Sequence, residues 1–150
     1  MPKRFASSGA GPTAHRMSLF LLALITPIAV LRTIMWITPN SDLTIAGYNI
    51  HHLYTGLLLI TGGGVPLALF RGSSWRLDFS TVVFGVGLGL ALDEWVYLIA
   101  TDGSNASYLL PVSFWGSVIM IGLAASYALA LTALWRSARV ARETRSDETE

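Results

Sequence analysis

The chain has no cysteine, and only 13% of its 150 residues are charged. The absence of cysteine excludes disulfides, thiolate metal sites, cysteine nucleophiles and iron–sulfur clusters. The scarcity of charge accompanies an apolar fraction of 53% and a mean hydropathy of +0.56, which together lie outside the range of an ordinary soluble domain. The composition therefore predicts an integral membrane protein of one domain.

Long apolar segments occur at four places, and each has about the 20 residues that a membrane-spanning helix needs. They lie at about residues 17–37, 51–70, 79–100 and 111–135. The first segment resembles a signal peptide only superficially, because it contains Arg32 and no small-residue cleavage pattern follows it. We expect an all-α membrane domain over residues 17–142, a bundle of four transmembrane helices. Mobile tails are predicted at 1–16, which is basic, and at 143–150.

Lysine and arginine are absent from the first and third predicted loops, residues 38–50 and 101–110. Short translocated loops avoid basic residues, so we expect these two loops outside and both termini in the cytoplasm. This pattern predicts a multi-pass membrane protein with both termini on one side. We expect membrane lipids as its surroundings, with a homo-oligomer or a membrane-complex subunit as possible partners. The basic C-terminal run is typical of a helix end held against anionic lipid, and no nucleic-acid binding is predicted.

Ionisable residues inside or at the ends of the apolar segments come from three different segments. They are Arg32, His51, His52, Asp93 and Glu94. At about 1.5 Å per helical residue, their distances from the predicted helix ends place all five in one layer of the outer leaflet. A charged group in hydrocarbon is costly unless it is paired, protonated or facing water, so each residue is a functional candidate by default.

Small residues recur every four positions in the third segment, where Gly85 and Gly89 share a helix face with Asp93. Such a face predicts the close approach of another helix and directs Asp93 towards protein. Glu94 points about 100° away from Asp93 and borders a different neighbour. The second segment has a similar face, formed by His52, Gly56 and Gly63. We therefore expect tight helix packing with a polar pocket near its outer end.

Two imidazoles and two carboxylates form a ligand set that zinc, iron(II) or manganese accepts. The leading hypothesis is that the five residues build one site on the outer side for a divalent metal or an anionic, lipid-like ligand. The candidate metal ligands are His51, His52, Asp93 and Glu94, and the candidate anion-binding residue is Arg32. Adjacent residues on a helix diverge by about 100°, so one histidine is a better candidate ligand than both. The sequence leaves open whether the chain is an enzyme, and it has no H-E-x-x-H motif.

Two other classes of function fit the same residues. In a structural or assembly subunit, Arg32 would pair with Asp93 or Glu94, and a histidine would hydrogen-bond the remaining carboxylate, so that the cluster only locks helix packing. In a small proton-coupled transporter, the same groups would form a proton relay. The transporter is disfavoured because the predicted layer lies near one face of the membrane rather than at its midplane.

The polar residues also carry a resemblance, at Arg32, at His51-His52-x-x-x-Gly56 and at the run Gly85–Glu94. There the chain resembles a group of uncharacterised small prokaryotic four-helix membrane proteins. Their pattern is an early arginine, a His-His pair that opens the second span, and a glycine-rich third span that ends in Asp-Glu. The resemblance covers roughly residues 30–100. It implies that the five polar residues belong together and that the protein lies in a prokaryotic inner membrane, but it implies no activity.

Overall fold

The computed structural model describes residues 12–38, 44–45, 48–49, 51–72 and 74–147. The helices are α1 (Pro12–Ile37), α2 (His52–Leu69), α3 (Trp75–Ala100), α4 (Asn105–Tyr108) and α5 (Pro111–Asp147), and two short strands, β1 (Thr44–Ile45) and β2 (Tyr48–Asn49), lie between α1 and α2. The strands pair antiparallel, with Thr44 opposite Asn49 and Ile45 opposite Tyr48. Four helices, α1, α2, α3 and α5, are long and apolar enough to cross a membrane, which confirms the prediction of four helices of membrane-spanning length.

Three of these four helices extend beyond the apolar segments. α1 begins at Pro12, α3 at Trp75, and α5 continues to Asp147. Proline fits the first turn of α1 because the N–H that it lacks would have no partner there. The described part of the predicted C-terminal tail, residues 143–147, is thus a continuation of α5, whereas residues 1–11 of the predicted N-terminal tail lie outside the described residues.

α3 is the central helix, and α1, α2 and α5 each pack against it. Within the described part of the chain α2 packs chiefly on α3, so the bundle is organised around one helix rather than as a closed ring. We call the end where α1 and α3 finish and α2 and α5 begin the polar end. The opposite end, which carries Arg16, Arg71 and Arg76, is the basic end.

Glycine accounts for the central position of α3. A Cβ on Gly85 would lie only 2.8 Å from the Cβ of Ala23 in α1, and a Cβ on Gly87 would lie 2.6 Å from the backbone nitrogen of Ile60 in α2. Non-bonded atoms do not approach so closely, so α3 can touch both neighbours only where it has no side chains. The predicted small-residue face of α3 is therefore confirmed, and a second such face meets α2.

Candidate functional site

The five predicted polar residues lie at the polar end, where four of them form two separate pairs rather than one shell. Arg32 meets Asp93, whereas His51 meets Glu94. The two carboxylates are adjacent on α3 and therefore diverge by about 100°, which directs Asp93 to α1 and α5 and Glu94 to α2. Among the described residues, no polar contact joins His52 to the other four.

Arg32 and Asp93 form a buried ion pair between α1 and α3. Nη2 of Arg32 lies 3.1 Å from Oδ1 of Asp93, and Nε lies 3.3 Å from the same oxygen. The Asp93 side chain is fully buried, and that of Arg32 is 10% exposed. The other carboxylate oxygen, Oδ2, accepts a hydrogen bond from the hydroxyl of Tyr108. Both oxygens of Asp93 are thus occupied by protein donors.

The guanidinium of Arg32 also contacts α4 and α5 at the polar end. Nη1 donates to the carbonyl of Tyr108 at 2.9 Å, and Nη2 donates to the hydroxyl of Ser117 at 2.9 Å and to Ser113 at 3.2 Å. The Tyr108 ring lies beneath the guanidinium, with its centroid 4.5 Å away. One side chain of α1 therefore binds α3, α4 and α5. We call these five residues, Arg32, Asp93, Tyr108, Ser113 and Ser117, the arginine cluster.

Tyr108 is a member of this cluster that we did not identify from the sequence as a partner of Asp93. It ends the short helix α4, is almost completely buried, and packs its ring edge-on against Tyr97 at 5.3 Å. Burial, followed by the negative charge of Asp93, raises the pKa of Tyr108 above its ordinary value, so the hydroxyl stays protonated and donates. The one feature of the sequence that marks Tyr108 is its position three residues before Pro111, which opens the last span. An aromatic residue near the start of a span is too common to predict a hydrogen bond to Asp93.

Glu94 has a different role from Asp93. It lies on α3 and caps the start of the neighbouring helix α2. Its Oε2 accepts the backbone N–H of Leu53 at 2.6 Å. The first N–H groups of a helix have no partner within the helix and carry its positive dipole end, so a carboxylate here is favourable. The N-cap residue His51 makes no side-chain capping bond of its own. Its Nδ1 lies 3.6 Å from Oε1 of Glu94, and its side chain is 26% exposed. We call Glu94, His51 and Leu53 the glutamate cap.

A ready-made metal shell is absent from the described residues. No three side chains of His, Asp or Glu come close enough together there to hold a metal ion. Asp93 is engaged by Arg32 and Tyr108. Of the four predicted ligands, the glutamate cap brings together two, His51 and Glu94, which face each other.

Arg32 also borders an open pocket of about 400 Å³ at the polar end, lined by Arg32, Thr33, Trp36, Leu109 and Phe114. A ligand could reach the predicted anion-binding arginine through this pocket. The positive charge of that arginine is already matched by Asp93, which lies 3.1 Å from it. A ligand in this pocket would therefore meet mainly apolar side chains, because the charge of Arg32 is neutralised by Asp93.

No protein-family model, curated protein or solved structure matches the chain. The fold and the site together define a multi-pass helical membrane protein with a buried arginine–aspartate pair at one end.

Proposed function

We propose that the chain is a structural or assembly subunit of a membrane complex, in which the arginine cluster locks the packing of α1, α3 and α5. The observation that carries this proposal is the complete occupation of the Asp93 carboxylate by Arg32 and Tyr108. A carboxylate that ligates a metal or accepts a substrate proton needs a free oxygen within reach of solvent or ligand. Asp93 has neither a free oxygen nor any exposure.

The energetics of a buried pair support the same function. Removing an arginine and an aspartate from water is costly, and that cost is offset only where further hydrogen bonds satisfy both groups, as they do here. Such a pair contributes little net stability, but breaking it is expensive because one charge then stays buried alone. The cluster therefore favours one register of the three helices over alternatives.

The surface of the bundle supports a role in assembly. α2 and α5 each pack mainly against α3, so most of their side chains face outwards. Large apolar residues such as Leu58 on α2 and Leu123 and Tyr127 on α5 are exposed over more than half of their surface. These faces are covered by lipid tails or by the apolar helices of a partner.

A second candidate function is the binding of a divalent metal at the glutamate cap. The specific observation in its favour is the 3.6 Å separation of His51 Nδ1 and Glu94 Oε1, with His51 partly exposed. Two ligands hold an ion weakly, so His52, water or a second chain would have to complete the shell. A proton pathway has less support, because the stretches between the polar end and the basic end, residues 17–31, 53–70, 79–92 and 111–135, contain no Asp, Glu, His, Lys or Arg.

The melting temperature of the detergent-purified protein tests the proposal. In Asp93→Asn the charge of Arg32 loses its partner, and the amide NH₂ group faces a donor of Arg32 or Tyr108. We therefore expect the free energy of unfolding to fall by about 3–5 kcal/mol. The matched control is Asp102→Asn, which changes an exposed carboxylate outside the spans and should lower the melting temperature far less, because the asparagine oxygen can still accept the hydrogen bonds from Ser104.

Metal is the second arm of the same experiment. The proposal expects the same melting temperature with chelator and with added zinc, iron(II) or manganese. A rise of several degrees with one metal, lost in His51→Ala, would instead establish the glutamate cap as a metal site. Asp93→Asn protein as stable as the wild type would contradict the packing role.

A further inference from the structure

A cavity of about 700 Å³ lies at the basic end, between the end of α2 and the start of α3. This volume lies within the range of about 300–1,000 Å³ that is typical of small-molecule sites. Most of its lining is apolar and includes Pro66, Phe70, Leu77 and Phe79, and Arg71 and Arg76 also line it. The cavity thus combines an apolar wall with two cationic side chains, and none of these residues belongs to the arginine cluster or the glutamate cap.

The positive charges of this cavity have no carboxylate partner among the described residues. In the part of the chain that the structure describes, neither Arg71 nor Arg76 forms an ion pair. The carboxylate nearest to them along α3, Asp78, is bound by Arg16, with Nε 2.8 Å from Oδ1. Two guanidinium groups are therefore available to an anion from outside the chain.

The turn between α2 and α3 sets the position of the cavity relative to the membrane. Gly72 adopts a positive φ of 104°, which allows the chain to reverse tightly between the two arginines. Phe70, Trp75 and Phe79 are each more than 60% exposed around this turn, as aromatic side chains are at a membrane interface. In a bilayer, with these aromatic residues at the interface, the apolar wall would lie at the depth of lipid tails and the arginines at the depth of headgroups.

We propose that this cavity binds an anionic phospholipid, with its phosphate at Arg71 and Arg76 and part of one acyl chain along the apolar wall. Arginine suits this role because its planar donors match phosphate oxygens in pairs. A free phosphate would leave the apolar wall empty, and a neutral lipid would leave the arginine charges unmatched. In the predicted orientation the site faces the cytoplasmic leaflet, which carries the anionic lipids.

The test compares the binding of phosphatidylglycerol and phosphatidylcholine to purified protein, with lipid added to detergent micelles and apparent affinity measured from thermal shift. We expect the wild type to prefer phosphatidylglycerol. Arg71→Gln or Arg76→Gln should each weaken its binding by about fivefold, and the double variant by about 25-fold. The matched control, Arg139→Gln/Arg142→Gln, removes the same charge from α5 outside the cavity and should keep the preference.

Four outcomes would overturn the proposal. They are equal affinity for the two lipids, an unchanged preference in the double variant, an equal loss of preference in the α5 control, and stabilisation by inorganic phosphate alone that matches phosphatidylglycerol. The third would indicate general attraction of a basic protein to anionic lipid, and the fourth would indicate a phosphate site without a lipid chain. If the double variant does not fold, the two single variants decide the question.

Discussion

Tyr108 and Arg32 divide the oxygens of Asp93 between them, so the aspartate acts only as an acceptor. The hydroxyl of Tyr108 donates to Oδ2, and the guanidinium donates to Oδ1. Ser117 in turn donates to the backbone carbonyl of Asp93 at 2.7 Å. Each of these donors comes from a different helix. Replacing any one of them therefore weakens a contact between two helices.

Alkaline pH should reveal the contribution of Tyr108. Its pKa is raised in the folded protein by burial and by Asp93, so its stabilisation is present below the unfolded pKa of about 10 and is lost as pH rises above that value. Tyr108→Phe removes the hydroxyl and leaves Oδ2 of Asp93 without a partner. We expect the variant to melt below the wild type at pH 8 and the difference to shrink above about pH 10.

Melting curves of both proteins over this pH range provide the measurement. Equal melting temperatures of the two proteins at pH 8 would mean that Tyr108 acts through its ring alone, because phenylalanine keeps the ring. A difference that stays constant up to strongly alkaline pH would mean that ionisation of the hydroxyl has no effect on stability. Tyr127→Phe serves as the control, because Tyr127 is exposed on α5 and its replacement should not change the pH profile.

At the scale of the helices, α3 has three neighbours because glycines replace side chains at the crossings. Gly85 meets α1, Gly87 meets α2, and Gly116 of α5 meets Val96. Not every glycine has this role, since a Cβ on Gly122 of α5 would meet nothing within 4 Å. Substitution by alanine should therefore have opposite effects on stability at Gly87 and at Gly122.

Gly87→Ala should destabilise the protein, and Gly122→Ala should not. At position 87 the new methyl group would collide with backbone atoms of α2 at 2.6 and 2.7 Å, so the helices must separate, and we expect a loss of about 1–3 kcal/mol. At position 122 alanine only improves helix propensity, and we expect a gain of up to about 1 kcal/mol. Melting temperatures of the two variants provide the measurement, and a similar shift in both would show that α2 does not depend on close contact at Gly87.

Helix periodicity predicted part of the site and missed the rest for a physical reason. Hydropathy identifies the four spans, and the 100° step separates Asp93 from Glu94, because both properties are local along one helix. The bond from Tyr108 to Asp93 and the capping of α2 by Glu94 depend on how a loop folds back and on where a neighbouring helix begins. No local pattern along the sequence encodes either contact. We predicted one shared site because the five residues lie at a similar depth in the membrane, but residues at one depth can still be far apart within the membrane plane.

At the scale of the whole molecule, charge is distributed unequally between the two ends. The polar end contains a buried arginine whose charge is matched by Asp93, whereas the basic end presents Arg71 and Arg76 without carboxylate partners among the described residues. Translocation disfavours unmatched basic residues, so this asymmetry supports the predicted orientation, with the basic end in the cytoplasm. The orientation itself stays a prediction.

Cysteine labelling can test the orientation directly, because the chain has no cysteine and any introduced thiol is the only one. Ser104→Cys places it in the loop before α4, and Ser137→Cys places it on the exposed extension of α5. A membrane-impermeant maleimide applied to intact cells should label position 104 at once and position 137 only after permeabilisation. The reverse pattern would put the arginine cluster on the cytoplasmic side and move the proposed lipid site to the outer leaflet, where fewer anionic headgroups are present to occupy it.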